Sequence, residues 1–272
     1  MISNLRFHNG GYCWQNTYFT GVPSIRFRKF QAVFISFQHS RFGNCLIDTG
    51  YGPQIFEATR KFPYRLLRWA TPIPKKQSLM QPRFLIDQGI EPQQIDLVFL
   101  SHFHADHIGA SKAFPNARFV CRTDPLRQLL DMEAKKQIDH GFVPDLLPHD
   151  FMNRLIEVPE SSFELSLDRF DPFLCSDFWE DESLILIDLP GHAMGHTGYY
   201  IRSDTGPVLY VVDAFWDRNA WISKRRLPFF SRRFQHDYAA YESTLNSLHS
   251  ISKHLNLTPL ACHCPETQTH VE

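Results

Sequence analysis

Runs of apolar, β-branched and aromatic residues of strand length recur along the chain, and most of them end in polar residues. The segment "FQAVFISFQHSRFGNCLIDTG" contains two such runs joined by a polar turn at 39–43, which predicts a hairpin ending at Asp48. The runs "IDLVFL", "ARFV", "SLILIDL" and "GPVLYVV" are continuous and apolar, as in buried strands, and "SKAF" predicts a short helix between the first two. The pattern predicts an α/β protein with polar side chains gathered at strand ends.

One long amphipathic helix is predicted over 237–255. Its apolar residues recur at spacings of three and four, which places one face toward the core: Tyr241, Leu245, Leu248, Ile251 and Leu255. Residues 125–151 show mixed helix and loop character. No repeat, low-complexity tract or linker divides the sequence, so a single domain over 1–272 is expected.

Residues 51–90 change character. Five prolines interrupt a segment rich in aromatic residues, which predicts short helices and irregular loop. Two interpretations stay open at this point: this excursion walls an active site, or it is a surface segment with its own small apolar cluster.

The composition is that of an ordinary globular protein, with 43% hydrophobic and 21% charged residues among 272. The formal net charge of −1 provides no overall attraction to a polyanion, so no nucleic-acid partner is expected. Most of the six cysteines are widely scattered, and free thiols are predicted. The N-terminus lacks the pattern of a signal peptide, and no apolar run of about 18 residues occurs. A soluble, cytoplasmic protein is the expectation.

Histidine and aspartate side chains concentrate at the predicted strand ends. In "LSHFHADHIGA", His102 and His104 lie two apart in extended chain, so they point the same way and can hold one cation. Asp106 and His107, at the start of the following helix, would face a neighbouring point, which predicts a second cation. Buried, hydrogen-bonded histidines are the alternative interpretation. Later strand ends add four candidates: His192, His196, Asp213 and His263.

The segment "HFHADH" fits the His-x-His-x-Asp-His signature of the metallo-β-lactamase superfamily, which this sequence resembles. The segments "LIDTG", "LPGHAMGHTG", "VVDAFW" and "CHCPE" also match in that family's order, over roughly residues 31–264. The resemblance implies a four-layer αββα sandwich, with the site at one edge between the two sheets.

The resemblance also implies the residues that hold two divalent metal ions. The implied ligands are His102, His104 and His192 for the first ion; Asp106, His107 and His263 for the second; and Asp213 as the bridge. His196 would support these ligands through hydrogen bonds. Histidine and aspartate suit zinc best, and iron or manganese accept similar sets.

The charges of such a site favour hydrolysis. Two divalent cations bring about +4, Asp106 and Asp213 bring about −2, and a bridging hydroxide leaves about +1, which favours a developing oxyanion. The expected reaction is attack of this hydroxide on a carbonyl, with Asp106 and Asp213 as the catalytic residues.

Within the superfamily, the sequence resembles the N-acyl-homoserine lactonase branch. The excursion at 51–90, the phrase "LIDQGIEPQQIDLVFLSH" and the "DA" after the bridging strand carry this resemblance. It implies a lactone or ester substrate, with apolar excursion residues accepting an acyl chain. Those lactonases usually have a tyrosine three residues after the bridging aspartate, where this chain has Trp216, the expected substrate-binding residue. A thioester hydrolase of the same fold and a non-catalytic ligand-binding protein are the alternatives.

Two stretches mix arginine and lysine with aromatic residues: "TRKFPYRLLRW" at 59–69 and "SKRRLPFFSRRF" at 223–234. They could contact an acidic substrate group or a membrane surface. The alternative is a solvated basic rim that acids elsewhere balance. The sequence does not indicate an oligomeric state.

Overall fold

The computed structural model of the chain describes residues 1–78, 85 and 89–271. The strands in this part are β1 (Ile2–Asn16), β2 (Phe27–His39), β3 (Gly43–Ile47), β4 (Ile95–Phe99), β5 (Arg118–Arg122), β6 (Leu155–Val158), β7 (Leu165–Ser166), β8 (Leu174–Asp177), β9 (Leu184–Asp188), β10 (Thr197–Ser203), β11 (Gly206–Val212) and β12 (Leu260–Ala261). The α-helices are α1 (Ile55–Ala58), α2 (Arg65–Ala70), α3 (Lys75–Ser78), α4 (Ala105–Ile108), α5 (Thr123–Asp131), α6 (Ala134–Asp139), α7 (Arg218–Ile222), α8 (Phe229–Arg232) and α9 (Tyr238–Leu255). Short 3₁₀ helices span Thr17–Thr20, Pro92–Gln94, Ser111–Ala113, Pro144–Leu146, Phe151–Arg154, Glu160–Ser162, Asp168–Phe170 and Thr267–His270.

The strands form two half-sheets that meet at β1 and β10. The first half has the order β6-β5-β4-β3-β2-β1, and the second continues as β10-β9-β8-β7, with β11 joining β10 to β12. In the paired register, β1 and β10 meet at Ile2 and Ser203. β3 to β6 are parallel neighbours, so the ends of β4 and β5 lie at one edge of the first half.

Side chains alternate between the two faces of each half-sheet, and both faces are buried. In β2, Ile35 joins a cluster shared by the two halves, whereas Phe34 joins a cluster on the opposite face. In β9, Leu186 belongs to the shared cluster and Ile187 to a third cluster. This burial on both faces explains why these strands are continuous apolar runs instead of alternating ones.

Helices cover the two outer faces. Ile108 of α4 and Leu126 of α5 pack in the cluster outside the first half. Trp221 of α7 and Leu248 of α9 pack in the cluster outside the second. The layers are therefore helix, sheet, sheet and helix, and the predicted αββα sandwich is confirmed.

Two element predictions are also confirmed. β2 and β3 form the antiparallel hairpin, with His39 opposite Gly43 in register. The long helix α9 begins after Asp237, whose side chain accepts the backbone N–H of Ala240, and ends at Asn256 in left-handed conformation.

The sequence pattern did not predict β1, although it is the longest strand of the described residues. Two register shifts break its pairing with β2, between Ser3 and Arg6 and between Asn9 and Tyr12. At Gly10, a Cβ atom would lie 2.5 Å from the carbonyl oxygen of Ala32, so only glycine permits this close approach. Bulges and an "NGG" sequence remove the alternation by which a strand is normally predicted.

The described part of the excursion at 51–90 contains α1, α2 and α3, as the prolines and aromatic residues predict. Ile55 is buried in the outer cluster of the first half, and Tyr64 and Leu67 pack against it. Phe62 and Trp69 are 69% and 65% exposed. In the described part of the excursion, the buried apolar residues therefore extend the main core. Residues 79–84 and 86–88, including Pro82, lie outside the described residues.

Candidate metal site

The first group of candidate ligands follows β4. His102 precedes α4, and His104 is its N-cap residue, with extended backbone. Asp106 and His107 lie in the four-residue helix α4 itself. The local structure is therefore the predicted one, with two histidines from non-helical chain and two candidate ligands from the start of a helix.

Three later strand ends reach the same place. His192 follows β9, and Asp213 follows β11 directly. β12 pairs in parallel with β11, and the backbone N–H of Cys262 donates to Val212 at 2.7 Å. This pairing brings the end of β12, and with it His263, beside Asp213.

A first set of ligand atoms belongs to His102, His104, His192 and Asp213, and all of them lie within 4.8 Å of one another. His192 Nε2 lies 3.1 Å from His104 Nδ1 and 3.4 Å from Asp213 Oδ2. The resemblance implied these same residues for the first metal ion.

A second set belongs to His107, Asp213, Cys262 and His263, again within 4.8 Å of one another. His263 Nε2 lies 3.1 Å from Asp213 Oδ2 and 3.2 Å from Asp106 Oδ2. His107 Nε2 lies 3.5 Å from Asp213 Oδ1 and 3.9 Å from Asp106 Oδ2. Asp213 therefore belongs to both sets. The sequence resemblance implies Asp106 for the second set and does not imply Cys262.

The outer nitrogens of four histidines donate to protein acceptors. His107 Nδ1 donates to Asp48 Oδ2 at 2.8 Å. His102 Nδ1 donates to the Ser101 hydroxyl, which in turn donates to the same carboxylate. His192 Nδ1 donates to the side-chain oxygen of Gln235, and His263 Nδ1 donates to the backbone oxygen of Gln31. Each of these rings therefore turns Nε2 toward the centre of the cluster, as metal-binding histidines do.

Three of the inward atoms have no hydrogen-bond partner among the described residues: His102 Nε2, His107 Nε2 and Asp213 Oδ1. Leaving buried polar atoms unpaired costs about 1–3 kcal/mol for each atom. Divalent cations bound by these atoms would remove that cost, so the donor set fits metal ions.

Burial and neighbouring charges shift the pKa values of the side chains in the cluster. Burial and the neighbouring imidazoles lower the pKa of His102 well below its usual value, and the pKa of His104 falls to about 3, chiefly through burial. Burial also opposes the charged form of His107, but the carboxylates around it, Asp48 first, raise its pKa well above the usual value. Burial disfavours the ionised form of Asp213, but the neighbouring imidazoles, His263 first, hold its pKa well below its usual range.

His196 and Trp216 both contact Asp213. His196 Nδ1 donates to the carbonyl of Leu189, and its Nε2 accepts the backbone N–H of Asp213 at 3.2 Å. The Trp216 indole donates to Asp213 Oδ2 at 3.2 Å, and its ring packs edge-on against His192. The structure thus places both residues beside the cluster, where sequence reasoning expected a supporting residue and a substrate-binding residue.

Several residues around the ligands were not predicted from the sequence. Gln235 belongs to no motif, and Ser101 lies in a quoted segment without a predicted role, because both roles depend on tertiary packing. Asp48 had a sequence signal, since it ends the "LIDTG" strand. Its positive φ of 62° turns the carboxylate toward Ser101 and His107.

A cavity of about 220 Å³ adjoins His104 and His192. Its apolar lining comes from Phe103, Leu129, Ala193, Met194 and Phe234. Polar groups of Asp139, His140, Arg233, Gln235 and His236 complete the lining. The cavity is large enough for part of a small molecule and lies directly beside the first ligand set.

The basic stretch at 223–234 lies at the surface, and its three phenylalanines Phe229, Phe230 and Phe234 are exposed. Lys224, Arg225 and Arg226 line a second cavity of about 220 Å³, between α7 and α9. None of the helices in the described residues has the length and apolar composition needed to cross a membrane.

Sequence comparison matches residues 41–123 to the metallo-beta-lactamase superfamily. A curated relative, the N-acyl homoserine lactonase AttM of Azorhizobium caulinodans, is 26% identical over 167 residues, which are 61% of this chain. The match spans 54% of that relative, so this chain aligns with about half of its length.

Two solved structures share the fold. A Bacillus thuringiensis AiiA variant with N-decanoyl-L-homoserine bound at its active site has a TM-score of 0.73 and 17% identity, over 100% of this chain and 97% of that one. AidC, a dizinc quorum-quenching lactonase, has a TM-score of 0.64 and 15% identity, over 97% and 89% of the two chains.

Over residues 41–123 the chain is similar to the metallo-β-lactamase superfamily, and its fold is that of the two solved lactonase structures. Within that superfamily, the chain resembles the N-acyl-homoserine lactonase branch. The family resemblance seen in the sequence is confirmed.

Proposed function

We propose that the protein is a metal-dependent hydrolase that opens a lactone or ester, with an N-acyl-homoserine lactone as the leading substrate class. The observation that carries the proposal is the convergence of two ligand sets on Asp213, with Nε2 of His102 and His107 unpaired. The names of the relatives support the lactone class, since the similar proteins include lactonases.

Two divalent ions, most suitably zinc, would be held by His102, His104 and His192 on one side and by His107, His263 and Asp106 on the other. Asp213 would serve both ions. When bound, such ions polarise a carbonyl and supply hydroxide at neutral pH.

The protein's own groups position and protonate the reactants. Asp106 is the most exposed carboxylate of the cluster, with 16% of its side chain accessible. Burial disfavours its charge, but His107 and His263 lower its pKa to about 2, so it is ionised at neutral pH. Asp106 can therefore accept a proton from the attacking water and return it to the leaving oxygen.

The cavity beside His104 and His192 is the proposed place of the acyl chain. Phe103, Leu129 and Met194 offer it apolar surface, and the substrate carbonyl would then lie near the ligand cluster. This location differs from the excursion wall that the sequence suggested, because Phe62 and Trp69 point to solvent.

An activity panel with zinc-, manganese- and iron-loaded protein tests the proposal. We expect hydrolysis of N-acyl-homoserine lactones and simple esters to exceed that of thioesters, phosphodiesters and β-lactams. Preferred cleavage of thioesters would favour the alternative of a thioester hydrolase. Ligand binding without turnover of any member, in protein that carries its metals, would reject the hydrolase and favour a binding protein.

A further inference from the structure

Cys262 lies inside the metal cluster, where neither the sequence motif nor the proposed function gives it a role. The residue is fully buried, and its Sγ belongs to the set that also holds His107, Asp213 and His263. The four ligand atoms lie within 4.8 Å of one another, close to the span that zinc bonds of about 2.0–2.3 Å to nitrogen and sulfur allow.

The thiol of Cys262 makes only long, weak hydrogen-bond contacts with its neighbours. Its thiol lies 3.4 Å from the carbonyl of Val33, 4.0 Å from that of Gln31 and 3.9 Å from His263 Nδ1. A thiol is only a weak hydrogen-bond donor. By contrast, two atoms of the same set, His107 Nε2 and Asp213 Oδ1, are buried and have no hydrogen-bond partner among the described residues. Sulfur therefore lies beside nitrogen and oxygen atoms that are free to bind a cation.

We propose that Cys262 is a sulfur ligand of the second metal position, together with His107, Asp213 and His263. On binding, the thiol would lose its proton to solvent and its sulfur would donate an electron pair to the cation. This inference rests on the proposed function, because it concerns the same pair of metal positions.

A sulfur ligand has two consequences. Thiolate favours zinc over manganese and magnesium, so the second position would select soft metals more strongly than an all-histidine and aspartate set. It would also replace Asp106, which the proposed function names as a ligand of this ion. Asp106, the accessible carboxylate of the cluster, would then be available for proton transfer.

Cobalt(II) loading of the full chain tests the assignment directly, because thiolate bound to cobalt gives a sulfur-to-metal charge-transfer band in the near ultraviolet. We expect this band in the wild type and its complete loss in Cys262→Ser, which changes the size of the side chain little. The matched control is Cys264→Ala, because Cys264 is also buried but its thiol donates to Glu266 at 2.8 Å. The control should keep the band.

Zinc competition with a chelator provides a second measurement. Cys262→Ser should lower the affinity for the more labile zinc ion by about 10–100-fold or more. Loss of a group that only hydrogen-bonds to a metal ligand already has an effect of that size. Cobalt bound without the band, or a band that persists in Cys262→Ser, would overturn the role of Cys262 and leave the proposed function intact. Failure of the wild type to bind cobalt or zinc would overturn both.

Discussion

At the scale of single residues, Asp213 is the side chain on which both ligand sets depend. Its two oxygens face His107 on one side and His192 and His263 on the other. We expect elemental analysis of zinc-loaded wild type to give two metal ions for each chain. In Asp213→Ala, both sets lose their shared ligand, so metal content and hydrolysis should fall together.

The control for this substitution is Asp204→Ala, which removes an exposed carboxylate. It should retain the metal content of the wild type. A wild-type content that stays near one after loading with zinc, manganese or iron would contradict the paired site. Full metal retention by Asp213→Ala would contradict its shared role.

Trp216 contacts Asp213 through its N–H and presents its ring to His192. Trp216→Phe removes a hydrogen bond to a charged group, worth about 1.5–3 kcal/mol, so the variant should bind metal more weakly. With metal restored to excess, we expect KM to change more than kcat, because the ring lies against His192 in ground and transition states alike. Trp216→Tyr should raise activity toward homoserine lactones relative to other esters.

Steady-state kinetics at saturating metal separate these roles. A fall in kcat of about 10²-fold or more in Trp216→Phe, with two metal ions still bound, would show that the indole is a catalytic donor. An unchanged KM and an unchanged metal affinity would show that Trp216 has no role in substrate or metal binding.

The candidate ligands could be predicted from the sequence because they lie in local motifs or directly at strand ends. His102, His104 and His107 need only the chain between β4 and α4. The position of Cys262 could not be predicted, because it depends on how β12 pairs with β11 and lies against β2. Gln235 is likewise brought to His192 by a tertiary contact 43 residues away in sequence.

At the scale of elements, Arg122 ties the end of β5 to the end of β9. Its guanidinium pairs with Glu160 and Asp188 and lies over the ring of Phe163. Asp188 is four residues before His192, so this contact anchors the loop that carries this candidate ligand. Arg122→Met leaves two partly exposed carboxylates, so the expected loss of stability is about 1–3 kcal/mol, below the 3–5 typical of a fully buried pair.

Urea unfolding of the metal-free protein measures this loss. Arg127→Met is the matched control, because its ion pair with Glu157 is exposed and should contribute at most about 1 kcal/mol. Equal effects of the two substitutions would show that Arg122 is no more than a surface ion pair.

The cavity beside His104 predicts a dependence on acyl length. Each methylene buried there contributes up to about 0.8 kcal/mol, or about fourfold in kcat/KM, so longer acyl chains should react faster. Ala193→Leu narrows the cavity and should flatten this dependence. Kinetics with a series of acyl-homoserine lactones measure it.

Trp69→Ala is the control for the excursion, because Trp69 is exposed. It should leave the dependence on acyl length unchanged. If Trp69→Ala flattens the dependence and Ala193→Leu does not, the excursion is the acyl wall that the sequence first suggested.

Most elements near the site could be predicted because their strands are buried on both faces and so have continuous apolar sequences. β1 could not, because its glycines and register shifts serve close packing against β2 and Gly50. β10, "TGYYIRS", was also missed, since it follows the histidine loop without an apolar run of its own. The local sequence pattern predicts strands poorly where the close approach of two backbones determines the structure.

At the scale of the whole molecule, the order of the layers could be predicted only from the family resemblance. Hydrophobic periodicity predicts strands and helices, but it does not state which face of β2 meets β9. That arrangement follows from the alternate side chains of strands far apart in sequence, such as Phe37 and Leu186 in the shared cluster.

Charge is unevenly distributed over a molecule whose formal net charge is −1. The stretch at 223–234 carries Lys224, Arg225, Arg226, Arg232 and Arg233 and has no acidic residue. Phe229 and Phe230 in α8, 68% and 64% exposed, lie among these cations, and so does Phe234. Exposed aromatic rings flanked by cations suit an anionic lipid surface, because the rings enter the interface while each cation near the surface contributes about 1 kcal/mol.

We therefore expect the full chain to sediment with vesicles that contain phosphatidylserine and to remain in solution with phosphatidylcholine alone. Because the attraction is partly electrostatic, salt at about 1 M, where charges are screened within about 3 Å, should release the protein. The double substitution Phe229→Ser and Phe230→Ser should reduce binding, whereas Leu174→Ser, which changes an exposed residue of β8, should not. Equal sedimentation of all variants, or none with anionic vesicles, would identify the stretch as a solvated basic rim. Self-association that the double substitution abolishes would instead assign the exposed rings to a second copy of the chain.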